Sequence, residues 1–234
     1  MDINYWINTK DYATAPLIWN GVGCLFWVVT YAVLLYEIKT RKFVEMPFFI
    51  AAGNIAWELV WSIFFHPNTG RLYSLSYQGA FLLDIFIFIS ILKYGYKQIN
   101  IPEIQERFKM IAIILFLLWV PLNYYYVLQG FDTPIGANSG YILNLIISLL
   151  YPILLLRSDV RNFSMRVAWC KGLGTACISV SMFMIYPKNY FVQCLCVACF
   201  LFDAAYVYLL KQRQKALPLT AEADAIQTSQ LKTV

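Results

Sequence analysis

The sequence predicts an all-α fold, a polytopic transmembrane bundle of about seven helices with the amino terminus outside and the carboxyl terminus cytoplasmic. Three observations carry this. The chain of 234 residues is 60% hydrophobic and only 13% charged, whereas a soluble domain carries roughly a quarter charged residues. The apolar residues fall in blocks of the roughly 20 residues that a bilayer-crossing helix needs. Basic residues cluster in alternate connections, which is the positive-inside pattern of membrane proteins.

Taken in order, apolar runs between breakers place spans at 16–36, 47–65, 76–95, 109–128, 139–156, 165–185 and 190–210. Lys39, Arg41 and Lys42 follow the first, and Lys97, Arg107 and Lys109 follow the third. Arg157, Arg161 and Arg166 follow the fifth, and Lys211, Arg213 and Lys215 the seventh, while the other connections hold little beyond Arg71 and Lys188. The net charge of +5 therefore orients the chain in its lipid bilayer, and no nucleic acid is expected as a partner. The start, with Asp2 and Asp11, is too polar for a cleavable signal, so the first span reads as a retained anchor. No linker divides the chain. Residues 1–210 read as one seven-helix domain, and 211–234 as a polar, disordered cytoplasmic tail.

Cysteine chemistry adds little. Cys24, Cys170, Cys177, Cys194, Cys196 and Cys199 all lie in or beside spans, where buried thiols act as small apolar groups. No metal and no cofactor is expected from them. Asn162-Phe163-Ser164 has the form of a glycosylation acceptor but falls on the cytoplasmic side of this topology. The aromatic content is high, with 17 Phe, 17 Tyr and 7 Trp, and an interfacial belt accounts for those at span ends but not for those at mid-span.

Three acids lie within spans: Glu58 in the second, Asp84 in the third and Asp203 in the seventh. Each costs at least about 2.5 kcal/mol at mid-bilayer, so such residues face a bundle interior and mark function. None has a basic partner within its own span. Asn54, Trp57, Glu58 and Trp61 follow i, i+3, i+4, i+7 spacing, so one face carries an amide, two indoles and a carboxyl. Asp84 shares a face with Phe81, Asp203 with Tyr206, Asn123 with Trp119, and Asn144 with Tyr141. His66, at the end of the second span, reads as interfacial. Lys171 lies one turn inside the sixth span, where its stem can snorkel its ammonium to water.

Together these residues describe an aromatic-walled pocket carrying acids. A protonated carboxyl in a dry pocket is a proton donor, and aromatic faces stabilise cations. That combination suits a carbocation cascade started by protonation. The same acids would also serve a proton-coupled small-molecule transporter, although internal repeats and broken helices are not evident. A retinal receptor would need a lysine within 190–210, and none is there.

One set of motifs narrows the choice. Met46-Pro47 with Gly53-Asn54-Ile55-Ala56-Trp57-Glu58, then Leu82-Leu83-Asp84 and Leu92-Lys93-Tyr94-Gly95, run in order along the chain. Arg157 with Ser164, Leu173-Gly174-Thr175, and Phe202-Asp203 with Tyr206 and Leu209-Leu210 follow. This series resembles the small integral-membrane terpene cyclases of fungal meroterpenoid and indole-diterpene pathways and their bacterial relatives. The resemblance implies a seven-helix cyclase that works without metal on a hydrophobic prenylated substrate, often one with a terminal epoxide. It implies functional coupling to an epoxidising monooxygenase, and residence in the endoplasmic reticulum of a fungus or the inner membrane of a bacterium. It also implies catalytic acids at Glu58 and Asp203, with Asp84 in support. The stretches 66–76 and 129–138 carry no matching motif.

Overall fold

The computed structural model describes the backbone of residues 3–231 and the side chains of residues 4–217. Seven principal helices follow the expected spans: α1 (Thr14–Arg41), α2 (Phe48–Phe64), α3 (Arg71–Tyr94), α4 (Phe108–Leu128), α5 (Ala137–Arg157), α6 (Met165–Ile185) and α7 (Tyr190–Leu231). No strand occurs among the described residues. Six of these helices are long and apolar enough to cross a membrane, and α2 is the shorter one. The polar tail expected to be disordered from residue 211 continues α7 as helix through Leu231, and side chains beyond residue 217 lie outside the described residues.

Six helices form a ring in the order α1, α6, α7, α5, α2, α3, and α4 packs outside it against α2 and α3. Lipid-facing composition explains the position of α4: its apolar residues are mostly exposed, including Leu117, Leu118, Leu122 and Tyr125. The most extensive packing in the ring is between α1 and α6. A Cβ on Gly23 would lie 2.9 Å from the Gly174 carbonyl oxygen, so only small residues permit this crossing. Ser181 on α6 adds a hydrogen bond of 2.8 Å to the Pro16 carbonyl.

Two features aim α2 at the interior. Pro47 precedes the helix in extended geometry, and the Gln98 side chain beyond α3 pins the approach to it. Gln98 donates to the Val44 and Met46 carbonyls, each at 2.8 Å, and accepts from the Phe48 N–H at 2.9 Å. After Leu59 the helix widens into a π segment, Val60–Phe64, directly beyond Glu58. Such segments re-aim side chains and recur at functional sites. Here the widened turn carries Trp61.

Candidate functional site

Between α1, α2, α3, α5 and α6, in the half of the bundle where α1 begins, lies a cavity of about 150 Å³. That is far more than the roughly 10–15 Å³ one water requires. Its aromatic wall is Trp27 and Tyr31 from α1, Trp57 from α2, Tyr77 from α3 and Tyr141 from α5. Glu58, Asn54, Asn144 and Thr175 supply polar groups. Among the described residues, α7 contributes nothing to the lining.

The Glu58 carboxyl is the centre of a buried network. Tyr31 Oη donates to Glu58 Oε1 at 2.6 Å, and Asn54 Nδ2 donates to Tyr31 Oη at 2.6 Å. The same amide donates to Asp84 Oδ2 at 3.1 Å and makes a longer contact of 3.4 Å with Glu58 Oε1. Asn54 thus ties together two carboxyl groups from different helices, and among the described residues no cation pairs with either. Among the described residues, Glu58 Oε2 and Asp84 Oδ1 are buried without a hydrogen-bond partner. A buried orphan polar atom is uncommon and calls for a functional reason.

The aromatic face above Glu58 is held from the first turn of α5 and the loop before it. Trp57 Nε1 donates to Ser139 Oγ at 2.7 Å, and the Ser139 hydroxyl donates in turn to Asp132. Asp132 also accepts the Thr133 and Asn138 backbone N–H groups at 2.8 and 2.9 Å, capping the start of α5. Burial pushes the Asp132 carboxyl above its ordinary range, against the lowering effect of these donors. Trp57 packs on Trp61 and Tyr77, with ring centroids 6.1 and 5.5 Å away. Gly136 turns the chain here with φ +74°, and any Cβ on it would meet the Trp61 ring at 2.7 Å.

A second polar cluster lies behind the cavity. Asn144 on α5 donates to Thr175 Oγ1 on α6 at 3.1 Å. Lys171 donates to Ser148 Oγ at 2.9 Å and forms an ion pair with Asp203. Its ammonium also lies 5.6 Å from the centre of the Tyr151 ring, against which Tyr206 packs edge-on. Lys171 is only 1% exposed. The expected snorkelling therefore does not occur, because a carboxylate and a hydroxyl from the facing helices meet the ammonium inside the bundle.

The residues singled out from sequence divide accordingly. Glu58, Asn54, Trp57, Asn144 and Tyr141 line the cavity, and Trp61 backs Trp57. Asp84 is linked to Glu58 through Asn54. Asp203 and Tyr206 lie in the second cluster. Phe81, Trp119 and Asn123 are not among the lining residues: Phe81 is half-buried against the core, Trp119 sits against Gly53, and Asn123 donates to the Trp119 carbonyl. Tyr31, Trp27, Tyr77 and Thr175 were missed. For the first two a signal existed, since Asn20, Cys24, Trp27 and Tyr31 follow i, i+4, i+7, i+11 spacing on one face of α1 and all line the cavity.

At the opposite end of the bundle, outside the spans, the connection before α2 holds a buried acid. Glu45 Oε2 accepts the Ser164 N–H at 2.7 Å, while Oε1 has no partner among the described residues. Burial pushes this carboxyl up to about 8. Ser164 Oγ donates to Glu37 at 3.0 Å, and Arg166 and Arg41 pair with the same Glu37. This cluster ties the end of α1 to the start of α6.

The class defined by these features is an integral-membrane helical bundle with an interior site of acids and aromatic rings. The sequence matches the family model of Pyr4-like transmembrane terpene cyclases over residues 10–216, and the chain belongs to that family. It is thus a membrane terpene cyclase. No curated protein and no solved structure matches it.

Proposed function

We propose that this cyclase folds a prenylated substrate in the cavity, protonates its terminal epoxide or alkene from Glu58, and guides the resulting cation without a metal. The observation that carries the reading is the geometry of the Glu58 carboxyl. It sits on the cavity wall with one oxygen held by Tyr31 at 2.6 Å and the other without a partner among the described residues. Proton transfer to an epoxide oxygen breaks a C–O bond and leaves an alcohol and a carbocation. The π electrons of successive alkenes attack in turn, and loss of a C–H proton ends the cascade. Substrate and product are therefore isomers.

The rest of the network fits the charge that appears. When Glu58 gives up its proton, the Tyr31 hydroxyl and the Asn54 amide are already aimed at the carboxylate oxygen. Preorganised donors of this kind stabilise developing charge without reorganisation. Trp27, Trp57, Tyr77 and Tyr141 present aromatic surface along the cavity, and each ring face stabilises a nearby cation by up to about 2 kcal/mol when water is excluded. An epoxidising monooxygenase is the class of enzyme that would supply such a substrate.

The test is expression of the chain beside a farnesylated aromatic bearing a terminal epoxide, with mass spectrometry and NMR of the products. A cyclic product of unchanged mass is expected. Glu58→Gln keeps the shape of the side chain and removes its acidic proton, so turnover should fall by about 10²- to 10⁴-fold, the usual contribution of a positioned acid. Full turnover by this variant would remove Glu58 from the reaction.

A further inference from the structure

The second cluster has its own logic. Ser148 lies one turn beyond Asn144 on α5, and Lys171 one turn before Thr175 on α6, so the two helices are joined by two successive polar rungs. The upper rung, Asn144–Thr175, belongs to the cavity wall. The lower rung, Ser148–Lys171, lies behind it and reaches Asp203 on α7. Ser148, Lys171 and Asp203 are all buried, at 0%, 1% and 5% exposure. Asp203 is not among the residues that line the cavity, and the Asn144–Thr175 rung joins α5 to α6 on its cavity side.

From this we infer that Lys171 is a positioning residue: it locks α5, α6 and α7 behind the cavity, and Asp203 serves the reaction as the counter-ion of Lys171. A buried ion pair has a particular energetic signature. Removing one partner strands a charge in a medium that cannot solvate it, whereas removing both relieves the demand for pairing altogether. The inference rests on the reading of the cavity as the cyclisation site, but it separates the roles of the two acids. Glu58 acts on substrate. Asp203 acts through Lys171, and Lys171 acts through the wall residues Asn144 and Thr175 one turn away.

The experiment compares Lys171→Met, Asp203→Asn and the double variant with wild type in the full chain. Thermal melting in detergent is measured together with kcat and KM on the farnesylated epoxide. Each single variant should melt at least about 5 °C lower than wild type, because each strands a buried charge or its partner. The double variant should regain most of that loss and recover kcat to within about tenfold of wild type, with the residual defect in KM, because the neutral pair removes the stranded charge but relaxes the wall. Restored melting without restored kcat would overturn the inference, since the Asp203 carboxyl would then be needed for chemistry itself. A double variant that fails to insert, or melts below both single variants, would also overturn it. Failure of the wild-type chain to cyclise the probe would strike the substrate reading instead, and the melting comparison would still decide whether the pair is coupled.

Discussion

Replacing Tyr31 with Phe tests how the proposed acid is organised. The ring keeps its volume and its place between α1 and α2, so no cavity forms and the packing of Trp27, whose ring centre is 5.9 Å away, is kept. Only the hydroxyl is lost. With it go the 2.6 Å bond to Glu58 Oε1 and the 2.6 Å bond from Asn54. What remains at that oxygen is the 3.4 Å contact from Asn54. A hydrogen bond to a charged group contributes about 1.5–3 kcal/mol, and each 1.36 kcal/mol is tenfold in rate. Because the charge on Glu58 exists only after proton transfer, the loss should appear in kcat, by about 10- to 100-fold, with KM nearly unchanged. The assay is single-substrate kinetics in membranes with chromatographic separation of the isomeric products. In a Glu58→Gln background the same replacement should have little further effect, since the two groups act as a unit. Wild-type kcat in Tyr31→Phe, or a loss confined to KM, would refute the assignment of Tyr31 as the donor that supports the ionised acid.

Other consequences follow from named contacts. Gly136→Ala places a Cβ where φ is +74° and 2.7 Å from the Trp61 ring, so Trp61 and Trp57 must shift. The variant should lose about 1–3 kcal/mol of stability by detergent melting and shift the product mixture toward fewer rings. Trp57→Phe removes the 2.7 Å bond to Ser139 and should free the loop before α5, seen as faster hydrogen exchange at residues 132–139. Glu45 holds its proton up to about 8 in the folded chain, against an ordinary value of 4.5. Folding thus favours the protonated form, and its contribution is present below about 4.5 and is lost as pH rises through about 8. The melting temperature should fall across that window, and Glu45→Gln should flatten the fall.

Much of the architecture was legible because the bilayer imposes it. Spans were set by blocks of apolar residues, and α6 runs over the expected 165–185. The ends of α1 and α3 were placed too short, since Arg41 and Arg71 continue the helices past the apolar blocks. Helix-face spacing recovered Asn54, Trp57 and Glu58 as neighbours because i, i+3 and i+4 contacts are local to one helix. Spacing could not show that Asp84 meets Glu58 through Asn54, because that depends on how α2 and α3 are rotated against each other.

By itself the sequence determined the solvent, the helices, and the presence of acids and aromatic rings that lipid cannot accommodate; these follow from chain-local composition and period. The tertiary structure decided which of those residues share a space. It brought Tyr31, Asn54, Glu58 and Asp84 from three helices into one network and paired Asp203 with Lys171 behind the wall. The physical reason is that a buried charge or proton donor takes its character from its partners. Here those partners lie between 23 and 32 residues away along the chain, apart from the Asn54–Glu58 contact, and only packing brings them together.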